Sequence, residues 1–362
     1  MSKKITMVCH EFIQPNTRNF AYSGGDRYIV DLARLIQKIG YEPVIFQQAE
    51  KSFNAEYEGI QVLGFEAPNQ PLANLAMTES LHRSSMTIFH NLLIAQPRVP
   101  KKSIALSHGI TFDHPRLQPV HDSDFSNFRD EISRALGNIE LLVSVDANTL
   151  NVLNAFFAGR YSHKFRHIPN HVDIHMYQPA QKDEITRVLF PRRIEILRGI
   201  KEWQCAVEDL ETEFPAVEWH TCGSSQVKEN IAYMAQWIGQ NPDKRYFYGK
   251  SFDEMPSIYQ NCDIAVIPSI GCEGTSYSAI EAMACGLPVV TTHVGGLTQL
   301  VIDGYNGIVV NPFYTDIRDA IRYLLENPNE RKRMGKNARA VAEQMNRERW
   351  EKKWLEIFSE ML

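Results

Sequence analysis

The segment from residue 263 to residue 292 limits the fold more than any other stretch of the chain. An apolar run, 263–268, leads into small residues, and a second apolar run, 287–291, leads out. Short runs that are apolar throughout read as strands buried on both faces of a sheet. The residues between them read as a short helix, opened by small residues and closed at Gly286, Leu287 and Pro288. Strands separated by helices imply a parallel sheet covered on both faces, the plan of an α/β fold.

The same alternation occupies most of the chain. Strands are predicted at 5–9, 43–46, 61–65, 87–90, 103–107, 141–145 and 166–168. A helix over 26–39 carries Tyr28, Ile29, Leu32, Leu35, Ile36 and Ile39 on one side and ends at Gly40. After a polar stretch, 178–184, the pattern restarts with a strand at 188–190 and a helix at 201–213. Further strands follow at 218–222, 245–248, 264–268, 288–291 and 307–310. Two doubly wound α/β domains are therefore expected, at 1–172 and 187–344, with a linker at 173–186. Trp350, Trp354 and Phe358 recur at four-residue spacing in the last helix, which reads as a stripe docked on a core. Open parallel sheets bind ligands at the carboxyl ends of their strands, so two such domains facing each other would make a cleft.

Composition narrows the function. The 362 residues carry a net charge of −5, which gives no general pull toward nucleic acid. The six cysteines lack metal-ligand spacing, and most lie in or beside apolar runs, so reduced buried thiols are expected. No signal-peptide core follows Met1, and no apolar stretch approaches the roughly 20 residues needed to span a membrane. A cytoplasmic protein is the expectation; Lys101, Lys102 and scattered arginines keep peripheral contact with the inner membrane face as an alternative.

Candidate chemistry centres on Glu273 and Glu281, separated by seven residues. Glu273 falls on the loop before the short helix and Glu281 about a turn and a half inside it. Helix side chains lean toward the N-terminus, so both carboxylates are expected at one opening. The free N–H groups there attract an anion such as a diphosphate. Carboxylates beside phosphates make sense as acceptors from hydroxyls on either side, one on a sugar and one on a ribose. That combination is a nucleotide sugar. The structural alternatives are a capping box, Ser278-x-x-Glu281, and a solvated loop residue for Glu273.

Other candidates sit where strands end. Arg193 and Arg198 lie at a strand-to-helix junction ahead of Gly199. Ser23, Gly24 and Gly25 lie between the first strand and first helix, with Asp26 expected to cap that helix. The absence of G-x-G-x-x-G argues against a standard dinucleotide site. His108 follows an apolar strand and precedes Gly109, whereas His90, His114 and His121 have no ligand spacing. Asp122 and Asp124 precede a helix, where acidic residues are expected without a metal.

The E-x7-E segment, continued by residues 294–310, resembles the signature of family-4 retaining glycosyltransferases, which have the GT-B fold. Weaker matches extend over nearly the whole chain. The resemblance implies two Rossmann-like domains, an acceptor-binding first and a donor-binding second, with a C-terminal helix (about 345–362) crossing back to the first. Glu273 would bind hydroxyls of the transferred sugar and Glu281 the ribose hydroxyls. Amides of Gly274, Thr275 and Ser276 would face sugar and phosphate; the family often has Phe-Gly at the last two positions. Residues 190–199 resemble the element G-R-L-x-x-x-K-G, with Arg193 matching its arginine, Arg198 standing for its lysine and Arg192 for its first glycine. These two, Arg193 and Arg198, would clamp the diphosphate. Gly25 would approach the donor phosphates, His108 would orient the reacting centre, and Tyr248 would lie near the base. Residues 168–173 resemble the I-P-N-G-V-D element with His171 in place of glycine, and Asn170 and Asp173 are expected as turn residues.

The expected function is metal-independent, cofactor-free retaining transfer of a sugar from a UDP- or GDP-linked donor. The acceptor would be a hydroxyl of a glycan, a polysaccharide or a lipid-linked chain. The expected catalytic set is Glu273, His108, Arg193 and Arg198. The alternatives are an inactive nucleotide-sugar-binding partner subunit and a GT-B phosphorylase or epimerase.

Overall fold

Each run predicted as a strand forms one in the computed structural model, which describes residues 3–14, 23–110, 122–225, 227–249, 252–271 and 273–362; the strands at 61–65, 166–168, 245–248 and 307–310 are only partly buried. The described chain forms two compact units. The first takes the described residues to His108, those from 122 to Ile168, and Glu351–Leu362. The second takes Gly109, Ile110 and Pro169–Trp350. Residues 173–186 lie wholly in the second unit.

The first unit contains β1 (Lys4–Cys9), α1 (Gly24–Lys38), β2 (Glu42–Ala49), β3 (Phe53–Tyr57), β4 (Ile60–Glu66), α2 (Gln70–His82) and β5 (Met86–Phe89). It continues with β6 (Ser103–Ser107), α3 (Asp122–Asn138), β7 (Leu141–Ser144), α4 (Ala147–Phe156) and β8 (Phe165–His167). Its sheet has the order β3-β4-β2-β1-β5-β6-β7-β8. The chain winds one way from β1 through β2 and the other way from β5, so the switch point lies between β1 and β5. One strand departs from the all-parallel expectation. β3 pairs antiparallel with β4 at the sheet edge, closed by Glu58 and Gly59 at φ +50° and +77°. Both turn residues are left-handed, as a two-residue hairpin requires. Its sequence, half-buried on alternate residues, carries too little apolar signal to be read as a strand.

The second unit contains β9 (Arg187–Phe190), α5 (Ile200–Glu213), β10 (Glu218–Cys222), α6 (Lys228–Gly239), β11 (Arg245–Tyr248), α7 (Met255–Gln260) and β12 (Ile264–Ile267). It continues with α8 (Tyr277–Ala284), β13 (Val289–Thr292), α9 (Leu297–Leu300), β14 (Gly307–Val310), α10 (Tyr314–Glu326) and α11 (Pro328–Glu343). Every pairing within its sheet is parallel, in the order β11-β10-β9-β12-β13-β14. In chain order this is 3-2-1-4-5-6, the doubly wound arrangement with its switch point between the first and fourth strands, here β9 and β12. One face of the sheet packs Leu189, Ala265, Ile267 and Val289 against α8 and α11. The other packs Val188, Phe190, Trp219 and Val266 against α5, α6 and α10.

The final helix, α12 (Arg347–Met361), has its expected stripe buried. Trp350 belongs to the second unit, while Trp354 and Phe358 belong to the first. Trp354 is fully buried and its indole donates to the Tyr28 hydroxyl on α1 at 2.8 Å. Cys9, Cys222, Cys262 and Cys285 are buried free thiols as expected, whereas Cys205 is exposed on the solvent side of α5, and Cys272 lies outside the described residues. Among the described residues no helix is long and apolar enough to cross a membrane.

Trp354→Ala removes a buried aromatic together with a hydrogen bond to α1. It is expected to destabilise the first unit by about 3–5 kcal/mol in urea unfolding, with Trp354→Phe costing less.

Candidate functional site

Polar side chains gather at the carboxyl ends of the strands in each unit, and the two groups are taken separately. In the second unit the site is built at the switch point. β9 ends at Phe190, and the chain continues through Pro191, Arg192 and Arg193 into a tight turn that ends at Gly199, the N-cap of α5. Gly199 has φ +77°, and a Cβ there would run into the carbonyl of Pro268. Glycine thus lets the Arg198 turn lie directly against the end of β12, where the Ile270 amide also donates to Leu197 at 3.0 Å.

This packing delivers two guanidinium groups to one buried carboxylate. Glu273 Oε2 accepts from Arg198 at 2.6 Å, from Ser269 Oγ at 2.8 Å and from Arg192. Arg192 also donates to Ser276 Oγ at 2.8 Å and to Ser269 Oγ at 3.3 Å. Burial alone would raise the Glu273 carboxyl, but Arg192, Arg198 and the hydrogen bonds outweigh it and hold it below its ordinary value. Burial lowers the Arg192 guanidinium to about 10, which leaves it charged at neutral pH. Arg193 takes a different course. Its side chain is 43% exposed and pairs with Glu195 at 3.2 Å.

The loop ahead of α8 is fixed at several points. The Glu273 carbonyl accepts from the Gly296 amide at 3.0 Å, and the Thr275 carbonyl accepts from the Asn170 side chain. Gly274, Thr275 and Ser276 are buried. Ser276 is the N-cap of α8, yet its side chain makes no capping bond, because Oγ is engaged by Arg192. The alternative reading of Glu281 as half of a capping box does not form. Ser278 lies inside α8 and donates to the Pro191 carbonyl at 2.8 Å. Glu281 is buried and accepts from the Tyr259 hydroxyl at 3.2 Å. The structure thus groups Glu273 with Arg198 and gives Glu281 a separate partner. Tyr248 is half-buried at the end of β11, with its hydroxyl 3.1 Å from His220 Nδ1, while Lys250 beyond it lies outside the described residues.

In the first unit, Ser23 rather than Asp26 is the N-cap of α1. Ser23 Oγ accepts from the Asp26 amide at 3.2 Å, and the Asp26 carboxylate accepts from the Ser23 amide at 2.9 Å, a reciprocal capping box. Gly25, one residue into α1, faces His90, and a Cβ there would collide with the His90 ring. His90 and His108 pack with ring centroids 4.8 Å apart, and Tyr28 meets His108 edge-on at 5.5 Å. His108 Nε2 is buried without a hydrogen-bond partner among the described residues. Burial, and then the neighbouring imidazole, holds His108 well below 6.5; burial also lowers His90, against the pull of Asp26. Both rings are therefore neutral at pH 7. His114 and His121 lie outside the described residues, as do the side chains of Asp122 and Asp124. Among the described residues no group of acidic, histidine or cysteine side chains has the geometry to hold a metal.

Solved structures with this fold are numerous. The chain superposes on sucrose-phosphate synthase from Thermosynechococcus elongatus with a TM-score of 0.79 at 17% identity, covering 99% of this chain and 98% of that one. It superposes on the Anabaena protein HepE in complex with UDP-glucose with a TM-score of 0.76 at 18% identity, covering 99% of each. The fold is GT-B. Residues 172–341 match the family Glycosyl transferases group 1. An uncharacterized glycosyltransferase of Methanocaldococcus jannaschii is 42% identical over 106 residues, 28% of each chain. A D-inositol 3-phosphate glycosyltransferase of Paenarthrobacter aurescens is 37% identical over 178 residues, 48% of this chain and 43% of that one. The chain spans half or less of the length of these curated relatives. Together the likenesses show the GT-B fold and a family match confined to residues 172–341.

The buried ion cluster yields a prediction. Glu273→Gln leaves Arg192 and Arg198 without their counter-charge and should cost about 3–5 kcal/mol at pH 7. The folded carboxyl titrates below its unfolded value of about 4.5, so the wild-type advantage is full above that pH and shrinks as pH falls further. Urea unfolding of both proteins at neutral pH and near pH 3 checks this; a gap that does not narrow in acid would contradict the assignment.

Proposed function

We propose that this chain is a retaining glycosyltransferase that moves a sugar from a nucleotide-diphosphate donor to a hydroxyl of a glycan, polysaccharide or lipid-linked acceptor. The observation that carries the reading is the pairing of half-buried Arg198 with buried Glu273 at the switch point of the 3-2-1-4-5-6 sheet, just ahead of α8. A ligand there meets guanidinium charge, a carboxylate and a helix N-terminus that no side chain caps.

In this reading the donor lies on the second unit. Arg193 and Arg198 hold the diphosphate, Gly274, Thr275 and Ser276 offer amides to sugar and phosphate, and Tyr248 lies beside the base. Glu273 accepts from sugar hydroxyls and Glu281 from the ribose. Gly25 and His108 serve the donor phosphates and the reacting centre from the first unit, which takes the acceptor. The bond from the anomeric carbon to the β-phosphate oxygen breaks as the acceptor oxygen bonds to the same face. The acceptor proton passes to the departing phosphate. Fixed guanidinium groups stabilise the charge that grows there, which removes the need for a metal. HepE was crystallised with UDP, UDP-glucose and UDP with glucose, which favours a UDP-linked donor here. The buried free thiols favour a cytoplasmic site of action.

A thermal-shift screen against UDP, GDP and their sugars tests donor binding. A true ligand at 100 times its dissociation constant should add about 2.7 kcal/mol of stability. Acceptor-dependent release of the diphosphate then separates a transferase from a binder. Arg193→Ala and folded Glu273→Ala are each expected to lower turnover by about 10²-fold or more. Near-normal turnover in both would refute the reading.

A further inference from the structure

We propose that Arg192 is a positioning residue that works through Glu273 and Ser276 to fix how the sugar end of the donor is held. The proposal rests on the donor reading above. Arg192 stands where a glycine belongs in the pattern that residues 190–199 resemble, so its contacts are a property of this chain.

The side chain is 9% exposed and crosses from the end of β9 to three points of the donor segment. It reaches Ser269 at the end of β12, Glu273 on the loop, and Ser276 at the cap of α8. Each contact constrains what remains for a ligand. Oε2 of Glu273 takes bonds from Arg192, Arg198 and Ser269, and one carboxylate oxygen has about two lone-pair sites. Oε2 is thus saturated, and a sugar hydroxyl is left to Oε1. Arg192 thereby selects both the accepting oxygen and its angle. At Ser276 the guanidinium occupies the hydroxyl that would otherwise cap α8, so the first amides of the helix have no side-chain cap. The Nε of Arg192 is buried with no partner among the described residues, a donor still to be satisfied.

The charges facing this cluster support the assignment. Arg192, Arg198 and the more exposed Arg193 stand against Glu273 and Glu195, and Tyr259, whose hydroxyl bonds Glu281, also acts on Arg192. Without Arg192 the Glu273 carboxyl keeps its burial and loses its stronger counter-charge, so its protonation moves to higher pH.

Three variants separate positioning from bulk stability: Arg192→Met keeps length without charge, Arg192→Lys keeps charge without the fork, and Ser276→Ala removes one anchor. Calorimetric titration with UDP, UDP-glucose, GDP and GDP-mannose reads the result. Arg192→Met and Ser276→Ala should weaken the better-bound nucleotide sugar by about tenfold or more while changing its parent diphosphate by less than about threefold. Arg192→Lys should fall between Arg192→Met and wild type. The acid limb of sugar-nucleotide affinity should move to higher pH in Arg192→Met and stay in place in Ser276→Ala. If Arg192→Met does not fold, Ser276→Ala and Arg192→Lys carry the comparison. Equal losses for sugar nucleotide and diphosphate, or no loss for either, would overturn the proposal and leave the donor reading standing. Wild type that binds none of the four ligands would instead overturn the donor reading itself.

Discussion

One carboxylate shared by two guanidinium groups ties the second unit together at its functional end. Glu273 joins the end of β9 through Arg192, the turn before α5 through Arg198 and the end of β12 through Ser269. Taking three charges out of water is expensive, and their mutual attraction offsets it only where geometry is good and the remaining donors are satisfied. Here Ser269 and Ser276 accept from the guanidinium and so meet part of that requirement. With Arg193 included, three guanidinium groups stand against the carboxylates of Glu273 and Glu195, an imbalance that a bound anion would correct. A buried cluster with surplus positive charge beside an uncapped helix start is poorly placed for stability alone and well placed for a diphosphate.

Both units reach their chemistry by the same topological route. In each, strands wind outward in two directions from a switch point, and the loops there cannot be covered by the next crossover helix. Sequence then fills the opening differently. In the first unit, α1 starts with two glycines, which lets its backbone approach the His90 ring, and His108 packs beside it. Burial keeps both imidazoles neutral despite the nearby Asp26 carboxylate, with His108 Nε2 still unengaged among the described residues. In the second unit the opening is lined with fixed charge.

The central parallel strands were legible because they are short, mostly apolar runs, as in β5, β7, β12 and β13, which few other local structures require. β3 was not: its residues alternate between half-buried and exposed, and its Glu58–Gly59 turn lacks the Asn-Gly or Asp-Gly signature. Glu273 and Arg198 were singled out because they follow strand ends within a spaced pattern, and Glu281 because it falls eight positions after Glu273, inside α8. Arg192 was read only as a replaced glycine. Its partners Ser269, Glu273 and Ser276 lie 77, 81 and 84 residues away, and no local rule predicts that a charged side chain after a strand turns inward. The one available signal was its neighbour in the pattern: two adjacent arginines at a strand end cannot both face the same way. Asn170 was likewise expected to serve its own turn. Its side chain instead donates to the Thr275 carbonyl, while Asp173 does hold the local turn through the His175 and Met176 amides.

Arg192 and Ser276 are best understood as a pair. An arginine at 192 opposite a glycine at 276 would bury a guanidinium N–H with no acceptor, at a cost of about 1–3 kcal/mol or more. A serine at 276 without the arginine would return to capping α8, as its position as N-cap favours. Each residue therefore gives the other its conformation, across 84 positions of sequence. Substituting one alone changes the charge balance at Glu273 and the state of the helix start together. Selectivity at the sugar end should consequently behave as a property of the linked set Arg192, Glu273 and Ser276, with energies that do not add when its members are changed singly.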